Sequence, residues 1–187
     1  MRQLIVTAFT SADGVAEGPG PEPTFDKSGW TMTAVDFDPA IYELKGREQD
    51  EAAALLLGRR SYEMFAPVWP SMEEFAGYNA MPRYVVSTTR GGDDDRWPAT
   101  MLASLDEVAA LKAGEGGPII VHGSLELAQA LADAGLVDRY HLLVFPIVLG
   151  AGKRLFGESA GDAVKLSVVE HEVYANGVQK LVYDVVR

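Results

Sequence analysis

The sequence predicts one α/β domain over residues 1–187, built on a mixed, mostly parallel sheet that finishes in an antiparallel hairpin. Three observations carry this. Short apolar runs alternate with segments of helical spacing, as in successive βαβ units. Several runs end in a glycine followed by hydroxyl or basic residues, as at Gly58-Arg59-Arg60-Ser61 and Gly123-Ser124. The tail holds two β-rich runs joined at Asn176-Gly177, a favoured hairpin pair.

In chain order, residues Gln3 to Phe9 read as the first strand, and Asp13-Gly14 marks the turn after it. The Gly- and Pro-rich stretch from Gly18 to Gly29 predicts a long loop, since proline removes a donor and glycine disfavours regular structure. Asp38-Pro39 then reads as the cap and first position of a helix running to about Asp50. The continuous apolar run Ala53 to Leu57 suits a strand buried on both faces, followed by a short helix around Tyr62 and Phe65 that stops near Pro67.

Residues Arg83 to Ser87 form the next predicted strand, leading into Thr88-Thr89-Arg90-Gly91-Gly92, and Asp93 to Asp95 reads as a solvated turn. A helix over Leu105 to Ala113 precedes the buried strand Pro118 to His122. Ser124 is placed as the cap of a helix whose apolar face is Leu127, Ala128, Leu131 and Ala132, with Gly135 as its stop. Tyr140 to Leu149 is predicted as one long strand, and Val164 to Val173 and Val178 to Val186 form the final hairpin.

Composition narrows the function. With 27 acidic against 16 basic residues the formal charge is −11, a field that repels nucleic acid and anionic membrane surfaces. No stretch is apolar enough for a membrane span, and the start, Met1 to Thr7, is too short an apolar run for a signal peptide, so a cytoplasmic protein is expected. The absence of cysteine removes disulfides, thiolate nucleophiles and cysteine-held zinc. His122, His141 and His171 have no spacing that makes a local metal pair.

An anionic ligand must therefore find local donors, and three places supply them. At Gly123-Ser124-Leu125-Glu126 a missing side chain, helix amides and a hydroxyl suit a pyrophosphate. At Gly58-Arg59-Arg60-Ser61 two guanidinium groups suit bidentate phosphate contacts. At Ser87-Thr88-Thr89-Arg90 hydroxyls and a cation suit an adenosine 2′-phosphate, which would select NADPH over NADH. Each place also reads as an ordinary turn or surface charge. Neither the Gly-rich dinucleotide fingerprint after the first strand nor a P-loop is present.

These residues together resemble the dihydrofolate reductase-like fold, a three-layer α/β sandwich, and within it the reductase domain at the C-terminus of the riboflavin-biosynthesis protein RibD. The signature runs from Gly123 to Leu131, through Gly135-Leu136-Val137-Asp138, to Pro146 to Phe156. Leu57 to Glu63 is similar to the family's second strand and cofactor loop, Val86-Ser87-Thr88 to its adenosine-ribose site, and Ser11 to Gly14 to the turn after its first strand.

The resemblance implies an NADPH-dependent reductase that passes a hydride to a pteridine- or pyrimidine-type substrate, as in reduction of 5-amino-6-(5-phosphoribosylamino)uracil. It implies cofactor contacts from Ala8 and Val121 beside the three places already named. It offers Asp36 or Asp13 as the catalytic carboxylate, Trp30 as a pocket wall, and Lys153 and Arg154 as holders of a substrate phosphate. Asp36 would need to be a buried acid, whereas a helix-start residue beside Asp38 and an Asp-Gly turn explain Asp36 and Asp13 without chemistry. His122 stands where folate reductases have the first glycine of a pair. A deaminase half is excluded with cysteine. A small-molecule partner is expected, and a homodimer if the strand Tyr140 to Leu149 is exposed; the rival readings are a non-catalytic dinucleotide- or pterin-binding module, or a dimeric scaffold.

Overall fold

The computed structural model describes residues 1–89, 97–157 and 163–187. In chain order its elements are β1 (Leu4–Ser11), α1 (Glu43–Glu51), β2 (Ala54–Gly58), α2 (Arg59–Phe65), α3 (Ala76–Ala80), β3 (Arg83–Val86), β4 (Thr100–Leu102), α4 (Leu105–Ala113), β5 (Ile119–His122), α5 (Leu125–Asp133), β6 (Arg139–Phe145), β7 (Leu166–Val173) and β8 (Gln179–Val185). This is a mixed α/β fold with a mostly parallel sheet and an antiparallel C-terminal hairpin. Among the described residues, no helix is long and apolar enough to cross a membrane.

Two compact units divide the chain: Met1–Val6 with Leu44–Val137, and Thr7–Glu43 with Asp138–Arg187. In the first, the strand order is β4-β3-β2-β5-β1. Ala54, Leu55, Leu56 and Leu57 are wholly buried, as a central strand covered on both faces requires. β2 runs parallel to β3 and to β5, with Gly58 opposite Val86 and Leu56 opposite Val121. α5 ends where Gly135, at φ +66°, bonds back to Ala132 while Leu136 bonds to Leu131, so two otherwise orphaned carbonyls are satisfied.

The second unit orders its strands β1-β6-β8-β7. β8 is antiparallel to both β6 and β7. Gly177, at φ +85°, closes the hairpin with its amide on the Tyr174 carbonyl at 2.9 Å. The proline-rich loop is ordered by its own backbone: Gly29 N–H donates to Gly18 and Gly20 carbonyls, and Thr31 Oγ1 to Pro19 O at 2.7 Å.

Four differences from the sequence reading have physical causes. The long strand stops at Phe145, because Pro146 has no N–H to continue the ladder and the amides of Leu149 and Gly150 turn to the Asp13 carboxylate. That strand is also mostly buried and flanked by β1 and β8, so it is no exposed edge; the edge is β7, where Val168, Val169 and Val173 are exposed. The helix predicted from Asp38 begins as a 3-10 turn, Pro39–Tyr42, with the Asp38 carboxylate accepting from Ala40 N at 3.0 Å, and becomes α-helical only at Glu43. Residues 67–82, unassigned from sequence, hold α3 and two 3-10 turns, and β4 was also unassigned. Arg90 and the Asp93 to Asp95 turn lie outside the described residues.

Candidate functional site

In the first unit, parallel pairing brings the carboxyl ends of β2, β3 and β5 to one edge. Moving two residues on from Leu56 opposite Val121 puts Gly58 level with Gly123. Side chains then tie the two ends together. Gly58 N–H donates to Ser124 Oγ at 2.9 Å, Ser124 Oγ donates to His122 O at 3.2 Å, and Ser61 Oγ donates to Gly123 O at 3.0 Å. Ser124 is thus a strand-to-strand link. It stands at the cap position of α5 but makes no cap bond, contrary to the sequence reading, and no side chain caps α2.

Gly123 lies at φ +66°, and a Cβ there would meet the Phe65 ring at 2.7 Å. Glycine is required on both counts, so its reason is packing as much as room for a ligand. Val121 is buried beneath this edge, while Leu125 and Glu126 open α5. Glu126 and Arg60 form an exposed pair at 3.9 Å. One nitrogen of Arg59 reaches both carboxylate oxygens of Glu63, at 2.8 and 3.0 Å. Both guanidinium groups therefore face acidic side chains that a phosphate would have to displace.

Ser87 follows β3, its amide held by Leu102 O at 2.9 Å, and its buried Oγ has no hydrogen-bond partner among the described residues. Thr88 and Thr89 beyond it are exposed. An orphaned hydroxyl, two helix starts without side-chain caps and two strand-end glycines form a donor set that suits the phosphates and ribose of a dinucleotide. By that test the residues present fit the cofactor expected from sequence.

A buried polar group that sequence reasoning missed lies in the same unit. Lys45 and Glu48, on the otherwise charged helix α1, are buried, with Nζ and Oε2 3.4 Å apart, and the Tyr78 hydroxyl donates to the same Oε2 at 3.1 Å. The His122 ring packs among Phe65, Trp69 and Tyr78, with centroids 6.1, 5.2 and 5.5 Å away. Its Nδ1 is sealed from solvent and has no hydrogen-bond partner among the described residues. Burial first, and then the positive charge of Lys45, hold this imidazole down to a pKa of about 3, with Glu48 opposing. The His122–Gly123 peptide is trans.

The second unit holds the residues expected to act on substrate. Asp13 Oδ1 accepts from Ser11 Oγ at 2.6 Å and Leu149 N at 3.1 Å, and Oδ2 from Gly150 N at 2.9 Å. The Ser11 hydroxyl, then the Leu149 amide, hold its pKa at about 2. Two of its three acceptor bonds join the Ser11 to Val15 turn to residues 149–150. Arg154 bridges to Val15, and its guanidinium donates to Asp13 O; the Lys153 amide donates to Glu17 Oε2 at 2.8 Å. Both basic side chains are exposed.

Ala8 is buried in β1. Trp30 is core: its Nε1 donates to Glu17 O at 2.8 Å and its ring meets Phe145 edge-on. Asp36 is exposed, and its backbone carbonyl is held by Asn176 Nδ2 at 3.0 Å. It lines an open cavity of about 130 Å³ with Thr31 and with the apolar side chains of Met32, Val35, Phe37, Ile41 and Tyr42. Phe37 and Tyr42 were missed from sequence, where they read only as neighbours of a helix start. Among the described residues, no cluster of acidic groups and histidines could hold a metal ion.

Comparison with known proteins agrees with this architecture. The family described as the RibD C-terminal domain matches residues 2–180. An uncharacterized protein of Bacillus subtilis (strain 168), YyaP, is 26% identical over 189 residues, covering 97% of this chain and 94% of that one. A solved structure from Shewanella sp. PV-4, described as a candidate riboflavin biosynthesis protein, aligns at TM-score 0.71 and 22% identity over 99% of both chains. Dihydrofolate reductase from Enterococcus faecalis, solved with NADP(H) and an inhibitor denoted RAB-propyl, aligns at 0.63 and 15%, covering 99% of this chain and 97% of its own. A pyrimidine reductase-like protein of Corynebacterium diphtheriae aligns at 0.62 and 14%, covering 99% and 92%. At these identities the structural likeness speaks for the fold, which is dihydrofolate reductase-like.

Proposed function

Because the chain belongs to the RibD C-terminal domain family, we propose that it is an NADPH-dependent reductase acting on a small pyrimidine- or pteridine-type molecule. The observation that carries the proposal is the hydrogen-bonded edge in the first unit, where Gly58, Ser61, Gly123 and Ser124 bind the ends of β2 and β5 to one another beside the unpartnered Ser87 hydroxyl. When bound there, the cofactor supplies a hydride. The amides opening α2 and α5 offer hydrogen bonds to its phosphates. Ser87 Oγ, with Thr88 and Thr89, offers hydroxyl donors to a ribose or its 2′-phosphate. Arg59 and Arg60 add positive charge to a molecule whose net field is negative, once Glu63 and Glu126 release them.

A second reading, binding without turnover, is favoured by the carboxylates. The role of a proton-donating acid calls for burial, yet Asp36 is exposed and the Asp13 carboxylate is occupied by three donors. On the reductase reading, a proton for the reduced centre must instead come from solvent or from the substrate itself. A cytoplasmic location belongs to the same proposal.

Titration of the purified protein with NADPH and NADH, followed by nicotinamide fluorescence, tests the cofactor assignment. NADPH is expected to bind more tightly, and Arg59→Ala and Arg60→Ala to weaken NADPH about tenfold while changing NADH little, since each removes a charge-assisted contact. Equal loss for the two cofactors overturns the phosphate assignment. NADPH binding without its oxidation across pyrimidine and pteridine panels decides for the second reading.

A further inference from the structure

β7 ends the sheet, and among the described residues nothing covers its outer side. Four valines lie along it in the open: Val164, Val168, Val169 and Val173 are 62%, 54%, 51% and 69% exposed. One such valine needs no explanation, but a row of them on a free edge is a surface that proteins normally cover or charge. The charge on this strand is divided by position. Lys165 stands exposed at its start, with no partner for its ammonium among the described residues. Glu170 and Glu172 stand toward its end and share Lys180 of β8, at 2.6 and 2.7 Å, so that end carries one surplus negative charge.

Hydrogen bonds at both ends of the β7–β8 ladder set which backbone groups are left over. Val186 N–H donates to Lys165 O and Tyr174 N–H to Val178 O, both at 2.9 Å. Antiparallel residues turn alternately toward and away from their neighbour. Leu166 and Val168 before the bulge, and His171 and Val173 after it, therefore present N–H and C=O outward. The extra residue, Val169, reverses the alternation of side chains. Counted by their β8 partners, Lys165 and Ser167 share a face with Glu170 and Glu172, while Leu166 and Val168 share the other with His171 and Val173.

We propose that β7 pairs antiparallel with β7 of a second copy of this chain, about a twofold axis between Val168 and Val169. The flanking pairs then agree in face, in backbone direction and in chemistry. Lys165 faces Glu172 of the second copy, Ser167 faces Glu170, Leu166 faces His171 and Val164 faces Val173. The outward backbone groups of Leu166 lie opposite those of His171, as a ladder requires. Twofold symmetry repeats each pair, so both Lys165 ammonium groups gain a carboxylate.

The bulge makes this register possible. In an unbroken strand Lys165 and Glu172, an odd number of positions apart, would lie on opposite faces. Each copy carries −11, so association needs a local complement of this kind. A foreign acidic strand would suit Lys165 but be repelled at the Glu170 and Glu172 end. The match calls for a strand with the charge order reversed, and the same chain run antiparallel supplies one.

The chain holds no cysteine, so introduced disulfides can read the register. Lys165 and Glu172 of the second copy form a pair that exchanges no backbone bonds, for which Cα atoms lie about 4.5 Å apart, within reach of a disulfide. Lys165→Cys and Glu172→Cys chains, mixed and oxidised, should give a linked dimer. Neither should link alone, and Lys165→Cys mixed with Glu170→Cys should link far less.

Light scattering of the parent after size exclusion should give twice the chain mass. Val168→Lys, which crowds lysines at the axis, should raise the dissociation constant about a hundredfold. Lys165→Glu, which opposes Glu172, should raise it about tenfold. Both positions are exposed, so circular dichroism should show the parent fold in each variant. A monomer at the highest soluble concentration, which leaves the edge to a strand of another protein, overturns the proposal. So does a dimer that withstands Val168→Lys or forms no mixed disulfide, because it is joined elsewhere or in another register.

Discussion

Ser124 Oγ accepts the amide hydrogen of Gly58 at 2.9 Å, so the residue that opens α5 closes the end of a strand 66 positions earlier in the chain. Its own hydrogen goes to His122 O at 3.2 Å. One hydroxyl thereby satisfies two backbone groups at the edge assigned to the dinucleotide phosphates.

Ser124→Ala removes both bonds and strands a part-buried amide, a loss of about 1–3 kcal/mol. Thermal denaturation should show a lower midpoint, and NADPH should bind more weakly because the two strand ends are no longer tied. Ser124→Thr, which keeps the oxygen, should recover most of both. An unchanged melting point in the alanine variant would mean that water replaces the hydroxyl and that the tie is dispensable.

This position also shows how far the sequence could be read. A serine between a glycine and an apolar helix face marks a helix start, and the helix is there; what the pattern cannot express is that the hydroxyl turns away from its own helix toward Gly58, because that choice is made by the neighbouring parallel strand. The buried strands were legible because Ala54 to Leu57 and Ile119 to Val121 are apolar without interruption. Gly123 was legible as a glycine with a purpose, but the Phe65 ring that occupies the space beside it was not.

Tertiary context also defeated the reading of α1. Its residues alternate charge as a solvated helix would, yet Lys45 and Glu48 are buried against Tyr78, which no local rule anticipates. The proline-rich loop follows from its glycines and prolines, whereas residues 67–82 carry no legible element because Trp69, Phe75 and Tyr78 are spread over short turns with no single period.

Asp13 offers a clean separation of structure from chemistry. Its carboxylate joins the turn after β1 to Leu149 and Gly150, and its pKa of about 2 lies below the ordinary 3.8 because the Ser11 hydroxyl first, and then those amides, favour the charged form. The sign is that of a stabilising carboxylate: the contribution is present above 3.8 and is lost as pH falls through about 2. Asp13→Ala should lower the melting temperature at neutral pH, with a smaller difference from the parent in acid. Any pH–rate profile should keep its shape in Asp13→Asn. A proton donor would behave in the opposite way, leaving stability intact and removing the alkaline limb of the profile, where the rate falls as the acid loses its proton.

His122 makes the fold sensitive to acid over a definite window. In the unfolded chain its imidazole titrates near 6.5; in the fold, burial among Phe65, Trp69 and Tyr78 and the charge of Lys45 hold it at about 3, even with Glu48 in the same unit. Because the folded value is the lower one, the unfolded state binds the proton first. Stability is therefore untouched above 6.5, declines as pH falls from 6.5 toward 3, and reaches its full loss below that. At about pH 5 the loss from this one group is about 2 kcal/mol. Urea unfolding of the parent and of His122→Gln at about pH 7 and pH 5 isolates it, since every other titrating group is common to both. The parent should lose about 2 kcal/mol more than the variant between the two pH values, and parallel losses would show that the ring takes up its proton without leaving the fold.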